Sequence, residues 1–274
     1  MVDFETLRIR EEDAVLFAQI DAAPINLLGA GLTRDLVSLI RLVDESDRYR
    51  VVVFSSANPE FFISHVDITQ IPALKEAASS LTGEGTLAAL LRRLSTTKAI
   101  TIAQIEGRAR GAGSEFALAC DMRFASREKA VFGQIESGIG LVPGSGGMQH
   151  LARLMGRGRA MEVLLSADDY DADTAERYGW INRALPDAEL SSFVSALAHR
   201  IAGFPQQALI DIKTRVNAIT LASSDDFRGD AESFVAAASR PAVQKNMQSL
   251  MGRGMQQHGE VELHFGRILA DLNK

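Results

Sequence analysis

A single cysteine, Cys120, is present in 274 residues, which excludes an internal disulfide and any cysteine-based metal cage. It ends the apolar run Phe116–Cys120, where inert core packing is its expected role. Basic runs interleaved with aromatic residues are missing and the net charge is −6, so nucleic acid has no electrostatic footing here. No apolar stretch approaches the ~20 residues that a membrane-spanning helix needs. The start, Met1-Val2-Asp3-Phe4-Glu5, has neither a basic head nor an apolar centre, so no signal peptide is expected. Leu272-Asn273-Lys274 at the other end is not a peroxisomal address. These readings predict a cytoplasmic protein with no membrane and no nucleic-acid partner.

Several chemical signatures are also lacking. His65, His150, His199, His258 and His264 are scattered without metal-ligand spacing, so no metal site is expected. The chain holds no Gly-x4-Gly-Lys-Ser/Thr loop and no serine elbow. Gly138-x-Gly140-x-x-x-Gly144 lacks the long preceding strand and the later acidic residue of a dinucleotide fold.

What remains is ordinary globular material, 46% apolar and 23% charged, enough for one large domain or a core with an appendage. Thr6–Ile9 and Val15–Ile20 read as a strand pair turning at Glu11-Glu12-Asp13. Thr33–Asp44 has helical apolar spacing, whereas Val51–Phe54 and Ala99–Ile105 are continuous apolar runs suited to strands buried on both faces. Ala112–Cys120 reads as a helix, Met122–Phe124 and Val131–Phe132 as short strands, and Gly146–Met155 as a helix that Gly156 ends. Beyond residue 187 only helical patterns occur: Glu189–Ala202, Gln206–Ile219, Asp230–Ala238, Ala242–Met251 and Glu260–Leu272. The expectation is an α/β core over residues 1–186 followed by a helical region over 187–274.

Two glycine turns carry the chemistry. The first runs Gly107-Arg108-Ala109-Arg110-Gly111-Ala112-Gly113-Ser114-Glu115. The second runs Phe132-Gly133-Gln134-Ile135-Glu136, then Gly138 to Gly147. A strand that enters a glycine turn and then a helix leaves backbone N–H groups free to hold an anion or a developing negative oxygen. Glu115 lies one helical turn beyond the Ala112 N–H on the same face, so a donor and a carboxylate share one space. Tight packing with a capping acid would produce the same spacing. A second donor is available from the loop after Val51–Phe54, which contains Phe61 to Ile68.

The order and spacing of these segments, with Ala22-Ala23-Pro24-Ile25-Asn26 and Gly179-Trp180-Ile181-Asn182-Arg183, resemble the enoyl-CoA hydratase/isomerase (crotonase) family over about residues 5 to 220. The resemblance implies a spiral of ββα units with a helical C-terminal trimerisation region, and a homotrimer or a dimer of trimers. It implies an acyl-CoA substrate and no separate cofactor. By position, Val66 and Ala112 would form the oxyanion hole. The Ser64 carbonyl would meet the adenine of coenzyme A, and His65, Asp67, Ile68 and Gly111 would lie along the substrate. Glu115 and Glu136 would both be catalytic. Two carboxylates favour hydration of a 2,3 double bond; a Δ3,Δ2-isomerase working through Glu136 alone and a non-catalytic scaffold are the alternatives. The chain departs from the family where His65 replaces a glycine, where Ile135 stands for a frequent proline, and over the last forty residues.

Overall fold

The computed structural model describes residues 3–272. Its core repeats one unit: a strand in a large sheet, a strand or bridge in a small sheet, then a helix. The hairpin β1 (Leu7–Glu12) and β2 (Val15–Ile20) opens the chain and leads to α1 (Ala30–Glu45). Next come β3 (Val51–Ser56), β4 (Phe61–Ile63), α2 (Ile71–Thr82) and α3 (Leu87–Ser95). The following unit is β5 (Ile100–Ile105), β6 (Arg108–Arg110) and α4 (Ala112–Ala119). After it stand β7 (Met122–Ser126), β8 (Val131–Gly133), α5 (Glu136–Ile139) and α6 (Gly147–Ser166). Short β9 (Tyr170–Asp171), α7 (Ala172–Tyr178) and β10 (Arg183–Leu185) complete the sheets.

The large sheet has the order β1-β2-β3-β5-β7-β10, parallel throughout except for the antiparallel edge β1. The small sheet has the order β4-β6-β8-β9, with β4, β6 and β8 parallel. This is the expected spiral of ββα units. The continuous apolar run of β3 is explained by burial on both faces: Val52 and Phe54 face the main core, while Val51 and Val53 face a second layer.

That second layer is α8 (Asp187–Ala202), whose Leu190, Val194 and Ala198 repeat every four residues against the large sheet. The rest of the C-terminal region is α9 (Gln206–Thr220), α10 (Ser224–Ala238), α11 (Pro241–Gly252), α12 (Glu260–Leu263) and α13 (Phe265–Ala270). Residues of α10 to α13 form a separate apolar cluster with Ile135, Ile139 and Leu141 of the second glycine turn. No helix among the described residues is long and apolar enough to cross a membrane.

Among the boundaries that differ from the sequence reading, α10 begins at Ser224 instead of Asp230, and three others have a local cause. β1 continues through Glu12, so the hairpin turns at Asp13 and Ala14, with Asp13 at φ 53°. The exposed edge strand tolerates charge at Arg8, Arg10 and Glu12, which reads as loop. Gly156 leaves helical geometry at φ 77°, yet the chain re-enters the helix and α6 continues to Ser166. The expected helix Glu260–Leu272 breaks at His264, where φ −127° and ψ 36° leave the Leu263 carbonyl to accept from Arg108 Nε at 3.1 Å.

Candidate active site

Parallel pairing aligns the loops that matter. Ile63 pairs with Ala109, Ala109 with Phe132 and Arg110 with Gly133. Val66 lies three residues past Ile63, Ala112 three past Ala109, and Glu136 three past Gly133. The three loops therefore leave one edge of the small sheet side by side. Gly111, at φ 48°, turns β6 into α4, and its N–H donates to the Gly133 carbonyl at 2.9 Å.

Leu28 pairs with the residues on either side of Val66. Its N–H donates to His65 O at 2.9 Å and its carbonyl accepts from Asp67 N at 3.1 Å. In a parallel ladder this turns the Val66 N–H to the opposite side. Ala112 is the first residue of α4, so its N–H has no intrahelical partner. Gly113 rests directly on the Ile63 carbonyl, where a Cβ would lie 1.9 Å from the oxygen. The start of α4 and the end of β4 thus touch, so the segments that carry the Val66 and Ala112 N–H groups lie next to each other.

Both glutamates are buried beside these donors, Glu115 at 2% and Glu136 at 6% exposure. Glu115 Oε1 accepts from Ser145 N at 2.7 Å and Gly147 N at 2.9 Å. Among the described residues Glu136 receives one side-chain donor, Gln134 Nε2 at 3.3 Å. Burial pushes the Glu115 carboxyl up to about 7 against the pull of the Gly147 and Ser145 donors, with Asp230 adding to the rise. Burial and then the neighbouring Glu115 charge push Glu136 to about 8. The better-donated acid is the one that ionises first.

Gln134, absent from the sequence expectations, lies between them. A Cβ on Gly147 would sit 2.8 Å from Gln134 Nε2 and 3.1 Å from Glu115 Oε1. Its Oε1 is buried without a protein partner among the described residues.

The remaining expected site residues occupy the same edge in different ways. Ser64 is fully buried and its hydroxyl donates to Ile25 O at 2.7 Å. Asp67 is turned into its own loop: Oδ1 accepts from Thr69 N, Thr69 Oγ1 and Gln256 Nε2, and Oδ2 from Gln70 Nε2. Burial opposes its ionisation, but these donors outweigh it and hold the carboxyl below its ordinary value. Ile68 is half-buried and its N–H donates to Gln256 Oε1 at 3.2 Å. His65 is 2% exposed and bonded to Glu262, a partner no local pattern reveals. Ile135 enters the C-terminal apolar cluster. Cys120 and Trp180 are core residues: burial pushes the thiol up to about 12, and the Trp180 indole N–H donates to Ser114 Oγ at 3.2 Å.

The family described as enoyl-CoA hydratase/isomerase matches residues 10–260. A short-chain-enoyl-CoA hydratase of Clostridium acetobutylicum is 30% identical over 198 residues, 70% of this chain and 73% of that protein. A crotonyl-CoA hydratase of Syntrophomonas wolfei is 30% identical over 219 residues, 78% of this chain and 82% of its own. A crystal structure from Streptomyces avermitilis, described as a candidate enoyl-CoA hydratase, superposes with a TM-score of 0.96 at 48% identity, covering 98% of each chain.

Proposed function

Because the chain belongs to the enoyl-CoA hydratase/isomerase family, we propose that it adds water across the 2,3 double bond of a trans-2-enoyl-CoA to give the 3-hydroxyacyl thioester. The thioester oxygen accepts from the Val66 and Ala112 N–H groups, which stabilise the negative charge that develops as water attacks. Glu115, held by two backbone donors, is the ionised base that takes a proton from water. Glu136 holds its proton longer and delivers it to the α-carbon. The proton that Glu115 takes from water then passes to Glu136 and restores the pair, so water supplies both the hydroxyl and the one proton added, and the reaction balances without a redox cofactor. Of the other expected contacts, the Ser64 carbonyl meets the adenine of coenzyme A, and the Gly111 backbone lies along the acyl chain. The half-buried Ile68 lies on the same stretch; the side chains of His65 and Asp67 are engaged within the protein.

The observation that carries this reading is the pair of buried acids in unequal hydrogen-bonding environments beside the Val66 and Ala112 N–H groups, which have no hydrogen-bond partner among the described residues. Purified protein should turn over trans-2-enoyl-CoA thioesters faster than 3-enoyl-CoA thioesters. A preference for the 3-enoyl series would put a one-glutamate isomerase ahead, and no binding of any acyl-CoA would leave a non-catalytic scaffold.

The rate should show a bell against pH, because the active form has one proton on the pair. Below about 7 both carboxyls are protonated and the base is lost; above about 8 both are ionised and the acid is lost. These limbs belong to the pair and not to single residues. A kcat/KM profile that rises to a plateau with no alkaline fall would contradict the assignment.

A homotrimer, or a dimer of trimers, is part of the same proposal. Ile212, Val216 and Ile219 of α9 are 63%, 51% and 84% exposed and recur at helical spacing, an apolar stripe suited to a second subunit. Light scattering should give a mass of three or six chains; a stable monomer would remove this element.

A further inference from the structure

His65 is the residue whose surroundings the hydration chemistry leaves unexplained. Its ring is buried, with Nδ1 2.9 Å from the Val66 carbonyl and Nε2 2.9 Å from Glu262 Oε1. A backbone carbonyl only accepts, and so does an ionised carboxylate. A neutral imidazole has one N–H, so only the imidazolium satisfies both bonds. Glu262 Oε1 also accepts from Gln256 N at 2.7 Å, a second donor that favours the ionised carboxylate. Burial opposes ionisation of Glu262, but the His65 charge and hydrogen bond, the Gln256 N–H and the Arg110 charge outweigh it and lower its carboxyl.

Glu262 Oε2 is buried with no hydrogen-bond partner among the described residues, and the charged groups nearby are engaged with other partners. Arg110, on β6, is engaged by Asp169 through Nε at 2.6 Å and Nη2 at 2.7 Å, and gives Nη1 to the Glu262 carbonyl at 2.5 Å. Asp67 spends its oxygens on Thr69, Gln70 and Gln256. His258 pairs with Glu60 at the exposed edge. From α13 the Phe265 ring faces the imidazole, with centroids 5.8 Å apart. His65 and Glu262 thus neutralise each other one to one.

We propose that His65 and Glu262 are positioning residues, a charged clasp by which the C-terminal segment holds the Val66 N–H at the geometry the thioester oxygen requires. The loop is gripped from two sides. On the core side, Leu28 holds the His65 carbonyl and the Asp67 N–H, and Ile25 takes the Ser64 hydroxyl. On the other side, Glu262 takes the imidazole, while Gln256 takes the Ile68 N–H and gives its amide to Asp67. The donor residue is bracketed, with its carbonyl bound to the imidazolium and the carbonyl of its own peptide unit bound to Leu28. A bulky charged residue occupies this turn because it reaches α12, 197 residues away in sequence.

The clasp rests on the oxyanion reading of Val66 and is tested beside it. Glu262→Gln keeps the shape and an acceptor but removes the charge. It should lower kcat by about ten- to a hundredfold, the scale of a displaced catalytic contact, with KM changed far less. His65→Gln should do the same. The double variant should be no worse than the poorer single, because one interaction is lost once. In the folded wild type, nitrogen NMR of the histidines should show His65 protonated on both ring nitrogens at neutral pH, and Glu262→Gln should remove one of the two. A kcat for Glu262→Gln within about twofold of wild type overturns the clasp. So does a neutral His65 in the wild-type spectrum, a result that needs no variant to fold. Wild-type protein that turns over no enoyl thioester sinks the hydratase reading instead, and the spectrum alone then judges the ion pair.

Discussion

Replacing Glu136 by glutamine is expected to lower kcat for trans-2-enoyl-CoA hydration by about 10³-fold, and Glu115→Gln by a similar factor, the middle of the range for a positioned acid or base. Either loss alone should be nearly as damaging as both together, since the two carboxyls act as a unit on one water and one α-carbon. Glutamine at 115 retains a carbonyl oxygen for the Ser145 and Gly147 N–H groups, so the second turn keeps its anchor. The variants should also separate catalysis from folding. Both carboxyls titrate above their ordinary 4.5, at about 7 and about 8. The folded state therefore holds protons that the unfolded chain releases. This contribution to stability is complete below about pH 4.5 and is lost as pH rises through about 8. Glutamine stays neutral throughout, so Glu136→Gln should unfold at a higher temperature than wild type at pH 9 and at a similar one near pH 4. Thermal scans at the two pH values, beside steady-state kinetics, check both halves. An active Glu115→Gln would remove the two-carboxylate mechanism and favour proton transfer through Glu136 alone.

The legible parts of the fold are those where burial imposes a long pattern. Val51–Phe54 reads as a strand because both of its faces are covered, and α8 as a helix because Leu190, Val194 and Ala198 line up on one sheet. The small sheet that builds the site is nearly invisible in the sequence. Its strands β4 and β6 are three residues long, too short for periodicity, and β6 lies inside the stretch Gly107–Gly111 that reads as a glycine turn. Arg110 is fully buried, a state made tolerable by Asp169 and the Glu262 carbonyl, both distant in sequence. α2 also gives little signal, since only Leu74 and Ala78 of its twelve residues are buried. The two glutamates and the Ala112 donor are readable from glycine spacing, and Val66 from the family likeness. Gln134 escapes a sequence reading because a single amide carries no spacing of its own. Glu262 is beyond reach: its role depends on the break at His264 and on a partner near the other end of the chain.

Gly113→Ala is expected to lower kcat by at least about 10²-fold while leaving KM less affected, although helix propensity alone favours the substitution. Alanine is a better helix former than glycine by about 1 kcal/mol. At position 113 the added Cβ would lie 1.9 Å from the Ile63 carbonyl oxygen, 2.8 Å from its carbon and 2.9 Å from the Ile63 Cβ. The nearest two are backbone atoms of a strand end, not the tip of a flexible side chain, so β4 and α4 must separate. Overpacking of this kind costs about 1–3 kcal/mol, enough to outweigh the propensity gain. The separation acts on the gap between the Val66 and Ala112 N–H groups, one set by each element. A shift of about 1 Å between donors and reacting carbonyl is worth about 10² in rate. Gly158 is the matching control. It lies in α6, where an added Cβ would meet nothing within 4 Å, so Gly158→Ala should keep full activity and gain the propensity term. Kinetics and thermal unfolding of the two variants together decide the point. A fully active, stabilised Gly113→Ala would mean that the contact between β4 and α4 does not set the oxyanion hole.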